Sequence, residues 1–287
     1  MMKLPKSSCA FAELRPLQVS AKASQANNSR TSKRSMARAP KIDQRLFLDD
    51  TLVERELGDS RICRFGIEVL GYLNSRGSIG LTKSGSFNRK FVVWAVDQFN
   101  WPGYTTDELY RLNKVLNEDD VFPLSFLHDL LRAGRLIRHV KGKAVLTKAG
   151  KALCDDPGKL QATLFETVFT RFDFSKYERV VIEFEDADTF HFLGLIHNRL
   201  DDWVAFPELA GWCLPIVPIH PERDLIERDA IDFLCSRLIR PLLWLGLIEQ
   251  ENAPNLAPFA SLRFRKTPLF DKFLKFDLGR ATSQTLH

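Results

Sequence analysis

A chain of 287 residues, 45% of them hydrophobic, is long enough to bury a sizeable core and to divide into two modules. No apolar run approaches the ~20 residues that cross a bilayer, and no apolar signal core opens the chain, so the expectation is a soluble, cytoplasmic protein. A formal net charge of +5 invites a nucleic-acid partner, but where that charge lies limits the inference.

Residues 1–41 carry 9 basic and 1 acidic side chains, 42–60 carry 2 and 6, 61–151 carry 15 and 8, and 152–287 carry 15 and 21. The excess therefore belongs to the tail and the first half, and the second half is acidic. The tail, residues 1–41, is rich in Ser, Ala, Asn and basic residues without periodicity, which predicts disorder. It reads either as an organelle transit peptide or, the preferred reading, as sequence ahead of a true start at Met36, without which the net charge falls to −1. The five cysteines, Cys9, Cys63, Cys154, Cys213 and Cys235, include no CxxC pair and read as buried reduced thiols.

Residues 42–87 are predicted as an N-terminal helical segment. Within it, 43–60 is an acidic helical stretch with Leu46, Leu52, Val53 and Leu57 as its apolar positions. Ile62, Phe65, Val69, Leu70 and Leu73 then fall at helical spacing ahead of Gly77, and Ile79-Gly80-Leu81 reads as a short strand.

The most informative stretch runs from Phe122 to Cys154: a helix stopped by Gly134, a strand, a tight basic turn at Lys141-Gly142-Lys143, a second strand, and a helix capped by Thr147. That is the order in which a winged-helix domain ends. The second half echoes it. Glu108-Leu109 matches Glu208-Leu209 at an offset of 100, and Leu130-Leu131-x-x-Gly134 matches Leu242-Leu243-x-x-Gly246 at an offset of 112. The extra residues of the second copy fall in LPIVPIHPERD and, where its wing should be, in ENAPNLAPFASL; Thr267 and Pro268 would open its last helix. The predicted fold is mainly α with small β wings (α+β): tandem winged-helix-like modules at 88–154 and 188–278, joined by a helix-and-strand connector at 155–187 and followed by a disordered tail at 279–287.

The candidate nucleic-acid-binding residues are Arg132, Arg135, Arg138, His139, Lys141, Lys143 and Lys148, which would neutralise phosphates of double-stranded DNA. The alternative is a solvated basic edge. Base reading is not expected, because the helix ahead of the wing offers Ser125, His128 and Arg132 beside Asp129, behind an acidic entrance of Glu118, Asp119 and Asp120. In the second copy the matching helix is apolar apart from Arg237 and Arg240, which suits pairing with a protein partner or self-association.

The tryptophans and tyrosines lie at helical spacing beside Leu and Val and are assigned to the core. Glu183, Glu185, Asp186 and Asp188 read as a charged strand end, and His191 and His197 are too far apart to share a helix face. With no HExxH, GxSxG, Walker loop or GxGxxG, no catalytic site, metal or cofactor is predicted, and an enzyme of unrecognised type is the third reading.

GLTKSGSFNRKFV (Gly80 to Val92) and VLTKAGKAL (Val145 to Leu153) share an LTK[SA]G segment. With the leucine-rich helix and Gly134 between them, residues 62–157 resemble the helical C-terminal region of bacterial plasmid pRiA-type Orf-three-like proteins, which are linked to mobile-element passenger genes. The resemblance implies a bacterial origin and supplies no functional residues.

Overall fold

In the computed structural model, which describes residues 46–177, 186–213, 231–251 and 261–277, the chain is mostly helical with small antiparallel sheets. In order it forms β1 (Leu46–Leu48), α1 (Arg61–Arg76), β2 (Ile79–Gly80), α2 (Arg89–Phe99), α3 (Thr106–Leu112), α4 (Phe122–Ala133), β3 (Ile137–Val140), β4 (Lys143–Leu146), α5 (Lys148–Ala152) and α6 (Pro157–Thr170). After these come α7 (Asp186–Arg199), β5 (Val204–Ala205), α8 (Phe206–Cys213), a π-helical turn Cys235–Ile239 leading into α9 (Arg240–Trp244), β6 (Ile248–Gln250), β7 (Arg263–Lys266), α10 (Pro268–Phe273) and β8 (Leu274–Phe276).

Helix α1 starts where Ser60 Oγ accepts the Cys63 N–H and stops where Gly77, at φ 78°, returns its N–H to the Leu73 carbonyl. The predicted stripe of Ile62, Phe65, Val69, Leu70 and Leu73 is buried. The stretch before it is not the expected helix. Asp49 Oδ1 accepts from both the N–H and the hydroxyl of Thr51, turning the chain locally, and β1 pairs antiparallel with β8 instead. Leu46, Leu52 and Leu57 are buried, but Val53 is exposed, as a run without helical period allows.

Two three-stranded sheets share one plan: β2-β4-β3 in the first half and β5-β7-β6 in the second, all antiparallel. The β3–β4 turn places Lys141 and Gly142 at φ 48° and 73°, the paired positive angles of a two-residue hairpin whose twist suits its strands. Because β2 belongs to this sheet, the sheet reaches back across the boundary expected at residue 88.

The sheets also revise both expected alignments. The Leu136 N–H bonds Leu131 O and the Leu247 N–H bonds Leu242 O, so Arg135 at φ 58° answers Gly246 at φ 70°, one residue out of the Gly134–Gly246 match. The counterpart of β5 is β2, ahead of α2, and not the segment before Glu108. Thr147 caps α5 as expected, through the Gly150 N–H. Thr267 makes no side-chain cap and instead donates to Gly246 O at 2.5 Å. LPIVPIHPERD, most of ENAPNLAPFASL, Glu183 and Glu185, and both expected disordered tails lie outside the described residues. Asp186 and Asp188 fall in α7, not at a strand end.

One continuous apolar core joins the two halves. At its centre the Trp244 ring lies 5.0 Å from Phe126, 5.7 Å from Phe122 and 5.1 Å from Trp101, so the C-terminal helical stretch rests directly on α4. A buried amide ties a second seam: Gln161 accepts from Ser60 Oγ at 2.7 Å and donates to Leu245 O at 2.9 Å. Next to it a Cβ on Gly246 would sit 2.5 Å from the Asp59 carbonyl carbon, so only glycine fits. Trp101, Tyr104, Phe206 and Trp244 are core residues, whereas Tyr110 is exposed. Cys63, Cys154 and Cys235 are free and buried, and burial pushes the Cys63 and Cys235 thiols up to about 12.

Removing the central ring tests this joint core. Trp244→Ala should cost about 3–5 kcal/mol in urea unfolding, while Phe47→Ser, at a side chain 57% exposed, should leave the midpoint nearly unchanged.

Candidate nucleic-acid interface

The helix-to-strand turn at Arg135 brings the end of α4 against the start of β3, and the segment after α6 crosses beside it. Between them lies an open cleft of about 720 Å³. Four of the seven predicted residues line it: Arg132, Arg135, Arg138 and His139. Arg171 and Lys176, which sequence reasoning did not single out, close its other side, and the acids present are Asp129 and Asp173. Lys141 and Lys143 stand exposed on the adjoining hairpin, and Lys148 is exposed on α5, away from the cleft wall.

Strand alternation sorts these side chains. Arg138 faces the same side as its partner Val145, and Lys143 the same side as Val140, which gives the hairpin a basic outer face. His139 points the other way, toward α4. It is half-buried and lies on the face opposite Arg138 and Val140.

The reason is a polar chain through the core. Glu118 Oε1 lies 2.7 Å from His128 Nδ1, and His128 Nε2 lies 2.9 Å from His139 Nε2. Glu118 Oε2 also accepts the Phe87 N–H, and the Phe87 ring stacks on His128 at 3.8 Å. Glu118 and His128 are 3% and 2% exposed, so neither acts at the surface. The acidic entrance expected ahead of α4 is thereby reduced: Glu118 faces inward, and Asp120 accepts from Asn117 N at 2.8 Å. The one sequence signal was His128 at the helical spacing of Leu124 and Leu131; nothing in spacing joins it to Glu118 or His139.

Electrostatics around the cleft follow from this packing. Burial, then the charge of Arg132 and His128, hold His139 below its ordinary value, with Asp129 opposing. Burial pushes Asp129 up, but Lys176 Nζ at 2.8 Å and the Tyr177 hydroxyl at 2.7 Å outweigh it and hold the carboxyl below its usual range. Asp129, one of the two cleft acids, is thus already engaged.

Helix α4 is largely covered. Leu124, Ser125, Phe126, Leu127, His128, Leu130 and Leu131 are buried, and Arg132, 3.9 Å from Asp129, is the exposed residue of the helix. The second-half stretch is buried likewise, with the Arg240 guanidinium 5.0 Å over the Phe122 ring. Among the described residues no group of three or more His, Cys, Asp or Glu is arranged to hold a metal ion, and no helix is long and apolar enough to cross a membrane.

Residues 58–159 match a family model described as the Y4jL N-terminal domain. The uncharacterized protein y4jL of Sinorhizobium fredii is 46% identical over 92 residues, which are 32% of this chain and 42% of that protein. The chain therefore spans less than half the length of the curated relative it matches. No solved structure matches. The matched segment carries the relay and the basic hairpin but not Arg171 or Lys176, and its description differs from that of the plasmid family which the LTK[SA]G segments resemble.

The depressed pKa of His139 has a consequence for stability. The unfolded chain takes up this proton more readily, so the stabilisation is present above the ordinary pKa of 6.5 and is lost as pH falls through the folded value. Thermal unfolding should show a falling Tm below about pH 6.5, with a shallower fall in His139→Gln; equal slopes would assign the effect elsewhere.

Proposed function

We propose that the chain is a nucleic-acid-binding protein of tandem winged-helix-like architecture, gripping a phosphate backbone in the basic cleft and along the β3–β4 hairpin without reading bases through α4. The supporting observation is that Arg132, Arg135, Arg138 and Arg171 line one open cleft beside the hairpin that carries Lys141 and Lys143, while one of its two acids, Asp129, is held by Lys176 and Tyr177. Guanidinium groups suit this task because each offers a planar fork of donors to phosphate oxygens. The shared strand order of the two sheets supports reading them as a duplicated unit, with the second copy given over to packing.

Assembly through the second half is the other reading. It has less to work with, because the helical stretch that would dock a partner is turned inward onto α4.

A fluorescence titration with a short duplex separates them. Log affinity should fall linearly with log salt by about 0.9 per phosphate contacted. Arg132→Glu, Arg138→Glu and Lys143→Glu should each weaken binding equally across sequences and reduce the salt slope by about 1. Binding that survives all three reversals together, or none at low salt, contradicts the reading.

A further inference from the structure

Simple charge attraction leaves the Glu118–His128–His139 chain without a task, and its proton bookkeeping suggests one. When both imidazoles are neutral, His128 Nδ1–H donates to Glu118, so His128 Nε2 is a lone pair that accepts from His139 Nε2–H. His139 Nδ1 is then an acceptor. With one proton more, the two rings hold three N–H groups: one still meets Glu118, one lies between the rings, and the third is on His139 Nδ1, which is then a donor.

His139 lines the cleft, and the residue beside its Cε1–Nδ1 edge is Gly85, at φ 90°, where a Cβ would come only to 3.9–4.0 Å. The charged groups facing the ring are few. Helix α4 presents His128, Arg132 and Asp129, with Glu118 behind His128, and the residue opposite on β4 is Ala144. Arg171, Lys176 and the acid Asp173 also line the cleft.

We propose that this cleft is a proton-linked phosphate site: binding a phosphodiester anion draws a single proton into the Glu118–His128–His139 chain and turns His139 Nδ1 from acceptor to donor. An anion accepts hydrogen bonds and cannot donate them, so it favours the protonated arrangement; linkage then requires affinity to rise as pH falls. Burial and the neighbouring Arg132 keep the unliganded ring deprotonated near neutral pH, so the proton arrives with the ligand. The inference rests on the reading of the cleft as a phosphate site.

The test uses the full chain and a short DNA duplex, whose phosphodiesters keep their charge throughout the range studied. Calorimetry near neutral pH in two buffers of different ionisation enthalpy should give about one proton taken up per complex, and affinity should rise up to about tenfold per pH unit lowered. His139→Gln should still bind, with no proton uptake. Nitrogen-15 NMR of the unmodified chain should show His139 Nδ1 gaining a proton on binding, a readout that does not depend on any variant folding. Salt-dependent binding with no proton uptake, or with an unchanged tautomer, overturns this inference and leaves phosphate binding standing. Absence of binding at every pH overturns both.

Discussion

The constraint on which the rest depends is that most of helix α4 is covered, and only its C-terminal end borders the open cleft. Phe126 and Phe122 meet Trp244 on one side, Leu127 comes close to α1, and Tyr177 bonds back to Asp129. Burying rings of this size contributes more than any exposed ion pair in the structure. A helix committed in this way cannot enter a groove, so any contact with nucleic acid has to come from its end and from the hairpin that follows. There the basic side chains are: Arg132 in the last turn of α4, Arg135 in the helix-to-strand turn, Arg138 on β3, and Arg171 from the far wall.

The same burial created the polar chain. A histidine on the covered face of α4 needs partners, and the core supplies Glu118 on one ring nitrogen and His139 on the other. A bland reading would leave this as a satisfied buried network that holds the wing to the helix. What gives it a further role is its asymmetry: one end is a buried carboxylate and the other opens beside guanidinium groups. The proposed proton coupling would use the same three side chains that hold the hairpin to the helix.

Local pattern made much of the fold legible. The α1 stripe, the Lys141-Gly142 turn and the Thr147 cap are all governed by neighbours within a few residues, where spacing and backbone chemistry decide. Two kinds of reading failed. Residues 46–48 form a strand because β8 offers an edge more than two hundred residues away, which no local window contains. Matching glycine to glycine gives the wrong offset, because the positive-φ position of the helix-to-strand turn is filled by Arg135 in the first half and by Gly246 in the second. The site shows the same division: its basic residues were visible as a run, but the inward turn of His139 and the arrival of Arg171 depend on tertiary packing.

The proposal places phosphates at the cleft and hairpin and not at the basic N-terminal residues or along α4. Hydrogen–deuterium exchange of the full chain, with and without a short duplex, tests it most directly. The account expects added protection at Ile137–Leu146 and around Arg171 to Lys176, with α4 amides unchanged. Protection confined to residues 1–41, or to the helix itself, would contradict it.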